Sequence, residues 1–261
     1  MATCSYLSLV NKRLKELKSF LDEQVEKYNR PDFIEDDPIS IPHRFSKKED
    51  IEIAAFFAAS FAWGQRKTII NKTNDLMRRM DEAPFDFILR HDHRDLKHLK
   101  GFVHRTFNET DLLYFIQALQ HIYRHKGGLE SLFSSGSADA MDAIAGFRSE
   151  FLQLDAPKRT EKHISNPEKG ASAKRLNMFL RWMVRKDNRG VDFGLWNVLL
   201  PSQLSIPLDV HTGNIARELG ILERSQNDRK AVEELDAVLR QLDPQDPVKY
   251  DFALFGLGAI G

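Results

Sequence analysis

The chain has 261 residues and one cysteine, Cys4. That count excludes a disulfide framework, a thiolate zinc site and a cysteine-ligated iron–sulfur cluster within one chain, and it fits a reducing cytoplasm. An apolar stretch of the roughly 18 residues that a membrane span needs is missing, and the N-terminus lacks a basic start followed by an apolar run. A cytoplasmic protein with no membrane partner is expected. Net charge is absent as well, 38 basic residues standing against 38 acidic ones. Affinity for nucleic acid would therefore have to come from a local patch. No stretch alternates convincingly as a strand, and there is no repeat or low-complexity tract. What is present is a composition of 42% hydrophobic and 29% charged residues, enough to bury a large core. The expected organisation is an all-α single unit over 1–261, with two intimately packed lobes as the variant of it.

Helical periodicity then places about ten to twelve helices. Leu7, Val10, Leu14, Leu17, Leu21 and Val25 recur every three or four residues, predicting a helix over 7–28 that Asn29-Arg30-Pro31 ends. Residues 31–46 read as a loop with three prolines and a solvated acidic run, Glu35-Asp36-Asp37. Ser46-x-x-Glu49 reads as a capping box opening a helix that becomes almost wholly apolar from Ile53 to Trp63, hence central and buried. Gly64 breaks it, Gln65-Arg66-Lys67 forms the turn, and a further helix runs through Ile69, Leu76 and Met80. His91, His93 and His98 are interleaved with Arg94, Lys97 and Lys100 and read as exposed histidines, so no metal is expected. Asn108 or Thr110 caps a helix over 111–125, Gly127-Gly128 stops it, and 129–154 gives a short and a longer helix separated by Ser134-Ser135-Gly136-Ser137. Two more helices are predicted over 228–241 and 246–257.

One charge asymmetry stands out. Residues 158–189 hold ten Lys and Arg against three acids, an excess of seven. Within this stretch, Leu176, Phe179, Leu180 and Met183 fall on one helix face, while Lys174, Asn177, Arg181 and Arg185 fall on the other. Solvated faces usually mix the two signs, and this one contains no carboxylate. Lys174 lies two residues after the expected cap, Ser172, where the helix dipole opposes a cation and favours a neutral, nucleophilic amine. From spacing alone, an ordinary surface lysine is the better account. Asp209, after Pro207-Leu208, reads as the N-cap of the helix containing Ile215 and Leu219, a role worth about 1 kcal/mol. A carboxylate held there is also a fixed negative charge, available to a cationic transition state if that end faces a cleft.

The segment Leu208-Asp209-Val210-His211-Thr212-x-x-Ile215-Ala216-Arg217-x-Leu219-Gly220 resembles the "V-D-T-H-V-x-R-x-x-x-R-L-G" stretch of the helix-hairpin-helix DNA glycosylase superfamily, in which the aspartate matching Asp209 is catalytic. Ala59-Ser60-Phe61-Ala62-Trp63-Gly64-Gln65 is similar to that superfamily's "L-S-x-Q-x-T" turn, whose glutamine, matched by Gln65, lies near DNA. The usual hairpin, "L-P-G-V-G-x-K-T-A", and the lysine that closely precedes the aspartate are missing. Instead Lys174 precedes Asp209 by 35 residues, an interval similar to that of the archaeal 8-oxoguanine glycosylase branch. End to end, the chain resembles a bacterial family of conserved proteins of unknown function. Phe61-Ala62-Trp63-Gly64-Gln65-Arg66-Lys67, residues 174–185, Pro207-Leu208-Asp209 and Asp246-Pro247-Val248-Lys249-Tyr250-Asp251-Phe252 carry that likeness.

The glycosylase resemblance implies a helix-hairpin-helix DNA-glycosylase-like fold with a cleft between two helical lobes and the catalytic region at 170–220. It implies repair of damaged double-stranded DNA without a cofactor or metal. Lys174 would attack C1′ of a flipped-out damaged nucleotide and Asp209 would support the developing charge. Asn177, Arg181 and Arg185 would contact phosphates, and Gln65 and Arg66 would fill the gap in the duplex. Among Trp63, Trp182 and Trp196, at most one is expected to stack on a base. Two other classes compete: a non-catalytic nucleic-acid-binding module of the same fold, and a protein-interaction module whose basic face meets an acidic partner.

Overall fold

The computed structural model describes residues 2–133 and 137–259, with side chains from residue 12 onward. Leu7 and Val10 of the first predicted face, and the Ser134-Ser135-Gly136 break, lie outside what is described. In chain order the helices are α1 (Ala2–Tyr28), α2 (Asp32–Glu35), α3 (Lys48–Ser60), α4 (Arg66–Arg79) and α5 (Pro84–Arg90). A hairpin of β1 (Val103–His104) and β2 (Phe107–Asn108) follows, then α6 (Glu109–His125), α7 (Leu129–Leu132) and α8 (Ala140–Phe151). The remainder is α9 (Lys174–Val184), α10 (Val210–Glu218), α11 (Arg229–Leu242) and α12 (Tyr250–Ala259). The fold is all-α, and the hairpin pairs Val103 with Asn108 and His104 with Phe107.

α3 is the axis of the core. Ile51 to Ser60 are all buried, and Phe56 meets Phe115 of α6, Phe147 and Phe151 of α8, and Phe179 of α9, with ring centroids 5.5 to 5.7 Å apart. Rings at these separations attract beyond their area burial. Polar groups are sealed inside as well. Glu52 accepts hydrogen bonds from Trp196 Nε1 and Tyr123 Oη, each at 2.7 Å, and burial pushes its carboxyl up despite them. Trp196 is thereby accounted for as core, as its apolar setting suggested.

Several local expectations are corrected. α3 is not opened by a Ser46 capping box: its N-cap is Lys47, without a side-chain bond. Ser46 lies two residues before the first helical residue, one short of the reach that a capping box requires. Residues 31–46 are more structured than a proline loop. They form α2 and two 3-10 turns, Pro38–Ser40 and Pro42–Arg44. Pro38 and Pro42 supply first helical positions, where a missing N–H costs nothing. Asp37 is buried, accepting from Ile39 N at 3.0 Å, so only part of the acidic run is solvated. At α6 the cap is Asn108, in a reciprocal box with Asp111.

The C-terminal helix α12 lies against both α1 and α10. Its glycines make this possible: a Cβ on Gly256 would overlap the Tyr28 ring, and one on Gly258 would sit 3.0 Å from the His211 carbonyl. Gly256→Ala is expected to lower stability by about 1–3 kcal/mol through overpacking. Denaturant unfolding checks this, and a variant as stable as wild type would show that α1 and α12 do not pack this closely.

Candidate active-site cleft

α9 begins in an unusual way. Asn166 caps the 3-10 turn Pro167–Lys169, Gly170 follows at φ 85°, and Arg229 N donates to the Gly170 carbonyl at 3.0 Å. Ser172 is not the cap. Ala173 occupies that position, left-handed at φ 49° and without a side-chain bond, and Lys174 is the first helical residue. Asn177 Nδ2 donates back to the Ser172 carbonyl at 3.0 Å. Arg175 points the other way, to the carbonyls of Ser60 and His163, which clamps the start of α9 onto the end of α3. Burial lowers Arg175 to about 10.

Across from Lys174 stands the start of α10. Asp209 is its N-cap, Oδ1 accepting from Thr212 N at 3.0 Å. Asn227 Nδ2 donates to the Asp209 carbonyl at 2.9 Å, and a Cβ on Gly213 would fall 2.7 Å from Asn227 Oδ1. That packing explains why a glycine sits inside the first turn. The remaining oxygen, Asp209 Oδ2, is 3.8 Å from Lys174 Nζ, and the two side chains are 21% and 25% exposed. The pair lies in a cleft of about 580 Å³ whose wall also includes Asp37, Trp63, Arg66, Trp182, His211 and Asp251. Burial pushes Asp37 up, and it pushes Asp251 up to about 6 against the pull of Arg181. Arg66 lies over the Phe255 ring at 5.0 Å. The hairpin tip places Arg105, at φ 55°, over Trp63 at 4.8 Å, and a Cβ on Gly64 would meet that guanidinium.

The expected solvated stripe on α9 is overturned. Asn177, Arg181 and Arg185 are all buried. Arg181 binds Asp192 at 3.2 Å and Asp251, while Arg185 binds Asp187, Asp192 and Asp246 at 2.7 to 3.0 Å. Burial opposes both charges, but the carboxylates more than offset it and raise both arginines above their usual range. Asn177 and Arg185 do not line the cleft. Arg181 does, with its guanidinium committed to carboxylates. A helical wheel sees one helix only, and the neutralising acids come from the following loop and from the region around α12. The structure thus brings together Lys174, Asp209, Arg66 and Arg181 of the expected site residues, with Gln65 exposed at the N-cap of α4 beside them. Asp37, His211 and Asp251 were not singled out. Asp246 and Asp251 did stand in one of the quoted family stretches, and an unpaired Arg181 and Arg185 on a helix of otherwise core residues was a signal that acids had to come from elsewhere.

The fold and cleft define an all-helical protein with a lysine–aspartate pair in a partly enclosed pocket. Residues 37–260 match a family described as protein of unknown function (DUF2400), and the chain belongs to that family. No curated protein and no solved structure matches it.

Removing one partner of a buried ion cluster leaves charges uncompensated. Arg185→Ala is expected to cost about 3–5 kcal/mol of stability in denaturant unfolding. A loss below about 1 kcal/mol, the range of an exposed pair, would contradict the burial of this cluster.

Proposed function

We propose that this protein is a DNA repair glycosylase with associated abasic-site lyase activity, acting on a flipped-out damaged nucleotide in double-stranded DNA and folded like the helix-hairpin-helix glycosylases. The observation that carries the reading is the amine of Lys174 held 3.8 Å from a carboxylate whose other oxygen is fixed by a helix N–H, inside a cleft large enough for a nucleotide's base and sugar. An amine nucleophile needs a group to take its proton and a fixed charge to hold the cation that forms. Asp209 supplies both. Lys174 Nζ attacks C1′, the glycosidic bond breaks with its electron pair leaving on the base, and the Nζ proton passes to Asp209. The ring oxygen then leaves C1′ with its electron pair and takes that proton from Asp209, which gives the iminium between Nζ and C1′ beside a regenerated carboxylate, and hydrolysis of the iminium releases the enzyme.

Phosphate contacts in this reading pass from α9 to the cleft rim. Arg66 reaches the cleft, Gln65 and Lys67 are exposed beside it, and Arg105 is exposed over the Trp63 ring. These residues would position the duplex and make binding depend on salt. Trp63 remains as an aromatic wall for a flipped base, Trp182 being fully buried. A binding module that lacks chemistry would require none of the Lys174–Asp209 geometry.

Borohydride trapping tests the proposal. Incubated with a duplex carrying an abasic site or 8-oxoguanine, the wild type is expected to give a covalent adduct that Lys174→Ala does not give, while Lys174→Ala retains duplex binding. Arg66→Ala is expected to weaken binding and to flatten its salt dependence. Adducts of equal yield from wild type and Lys174→Ala would remove the catalytic assignment.

A further inference from the structure

His211 stands in the first turn of α10, two residues after Asp209, and its ring lines the same cleft as Lys174. Its Nδ1 is 3.0 Å from the Gly258 carbonyl at the end of α12. A carbonyl oxygen only accepts, so Nδ1 carries the proton and, in the neutral ring, Nε2 is a bare lone pair. The tautomer is fixed by the same close approach of α12 to α10 that requires a glycine at 258. Nε2 has no protein partner among the described residues. The other basic atoms of the cleft are engaged. Asp209 holds the Thr212 N–H and faces Lys174, Asp251 is bound to Arg181, and Asp37 holds the Ile39 N–H.

We infer that His211 is the base of the strand-cleavage step, a role that rests on the lyase reading above. Once Lys174 is joined to C1′ as an iminium, it can no longer act as a base, and Asp209 holds the cation. Cleavage then needs a separate group to remove a proton from C2′. His211 Nε2 takes that proton, and the C–H electron pair forms the C1′=C2′ bond of an enamine as the iminium nitrogen accepts electrons. The enamine returns its electrons, C2′=C3′ forms, and the C3′–O bond breaks with its pair leaving on the 3′-phosphate. Water then adds to the conjugated iminium and frees Lys174. Chain geometry suits this order, because the carboxylate that supports bond formation and the imidazole that supports elimination are placed by one helix start.

The test separates the two steps on a duplex containing a single abasic site. His211→Asn retains an N–H donor for the Gly258 carbonyl and removes the base. It is expected to give a borohydride-trapped adduct as the wild type does, while nicking falls about 100-fold. In His211→Ala, added imidazole should restore nicking, a rescue that a purely structural role would not show. Nicking by His211→Asn at the wild-type rate overturns the inference, and so does a parallel fall of adduct and nicking that imidazole does not rescue. An adduct absent from the wild type itself, with no nicking, removes the lyase reading and this inference together.

Discussion

The cleft depends on a buried ion cluster. Arg181 and Arg185 lie one turn apart on α9, and between them they engage Asp187, Asp192, Asp246 and Asp251, while both guanidiniums stack on Phe252 at 4.3 and 5.4 Å. Desolvating two cations costs several kcal/mol each, so such a cluster adds little net stability compared with an apolar core. Its consequence is geometric. A guanidinium presents donors in a rigid fork, and four carboxylates around two forks allow one mutual arrangement of α9, the loop that follows it and α12. Lys174 at the head of α9 and His211 against the tail of α12 inherit that arrangement.

The opposite wall is fixed by different means. Asp209 is held by its helix, by Asn227 and by the absence of a Cβ at 213, all short-range contacts within 209–227. Arg175 closes the frame by joining the start of α9 to the end of α3, where the Phe56 ring cluster anchors the whole core. Lys174 therefore sits on an element pinned at its start by carbonyls and along its length by carboxylates. The Lys174–Asp209 distance is thus set by the surrounding fold and needs little direct attraction between the two partly buried groups.

Much of this was legible in the chain, and the limits follow from range. Helices with a clear apolar face or a local cap, such as α6 with Asn108 and the helix α11, were readable because i to i+4 spacing determines them. So was Asp209 as an N-cap, since capping is decided within three residues. Residues 31–45 were not, because their two 3-10 turns are stabilised by packing against α3, which local composition does not report. The polarity of α9 was misjudged for the same reason. Lys, Asn, Arg and Arg on one face read as solvated until Asp246 and Asp251, over 60 residues away in sequence, are seen to meet them. Asp37 and His211 were hidden differently: one inside an acidic run, the other inside a motif where the neighbouring aspartate drew the attention.

The relocation of positive charge changes what the cleft can bind. Asp37, Asp209 and Asp251 share the wall with Lys174, Arg66, Arg175 and Arg181, and Arg175 and Arg181 are already committed to protein oxygens, so the interior is not a cationic trough. A phosphate entering it would have to displace carboxylates from Arg181, losing as much as it gained. A neutral base and sugar meet no such exchange, because they offer hydrogen-bonding edges to the carboxyls and a flat face to Trp63. Phosphates are then better placed outside, against the rim where Arg66 and Arg105 lie over aromatic rings with their edges free. In the proposed reading an extruded nucleotide uses both parts, its base entering the cleft while its backbone stays behind at the rim.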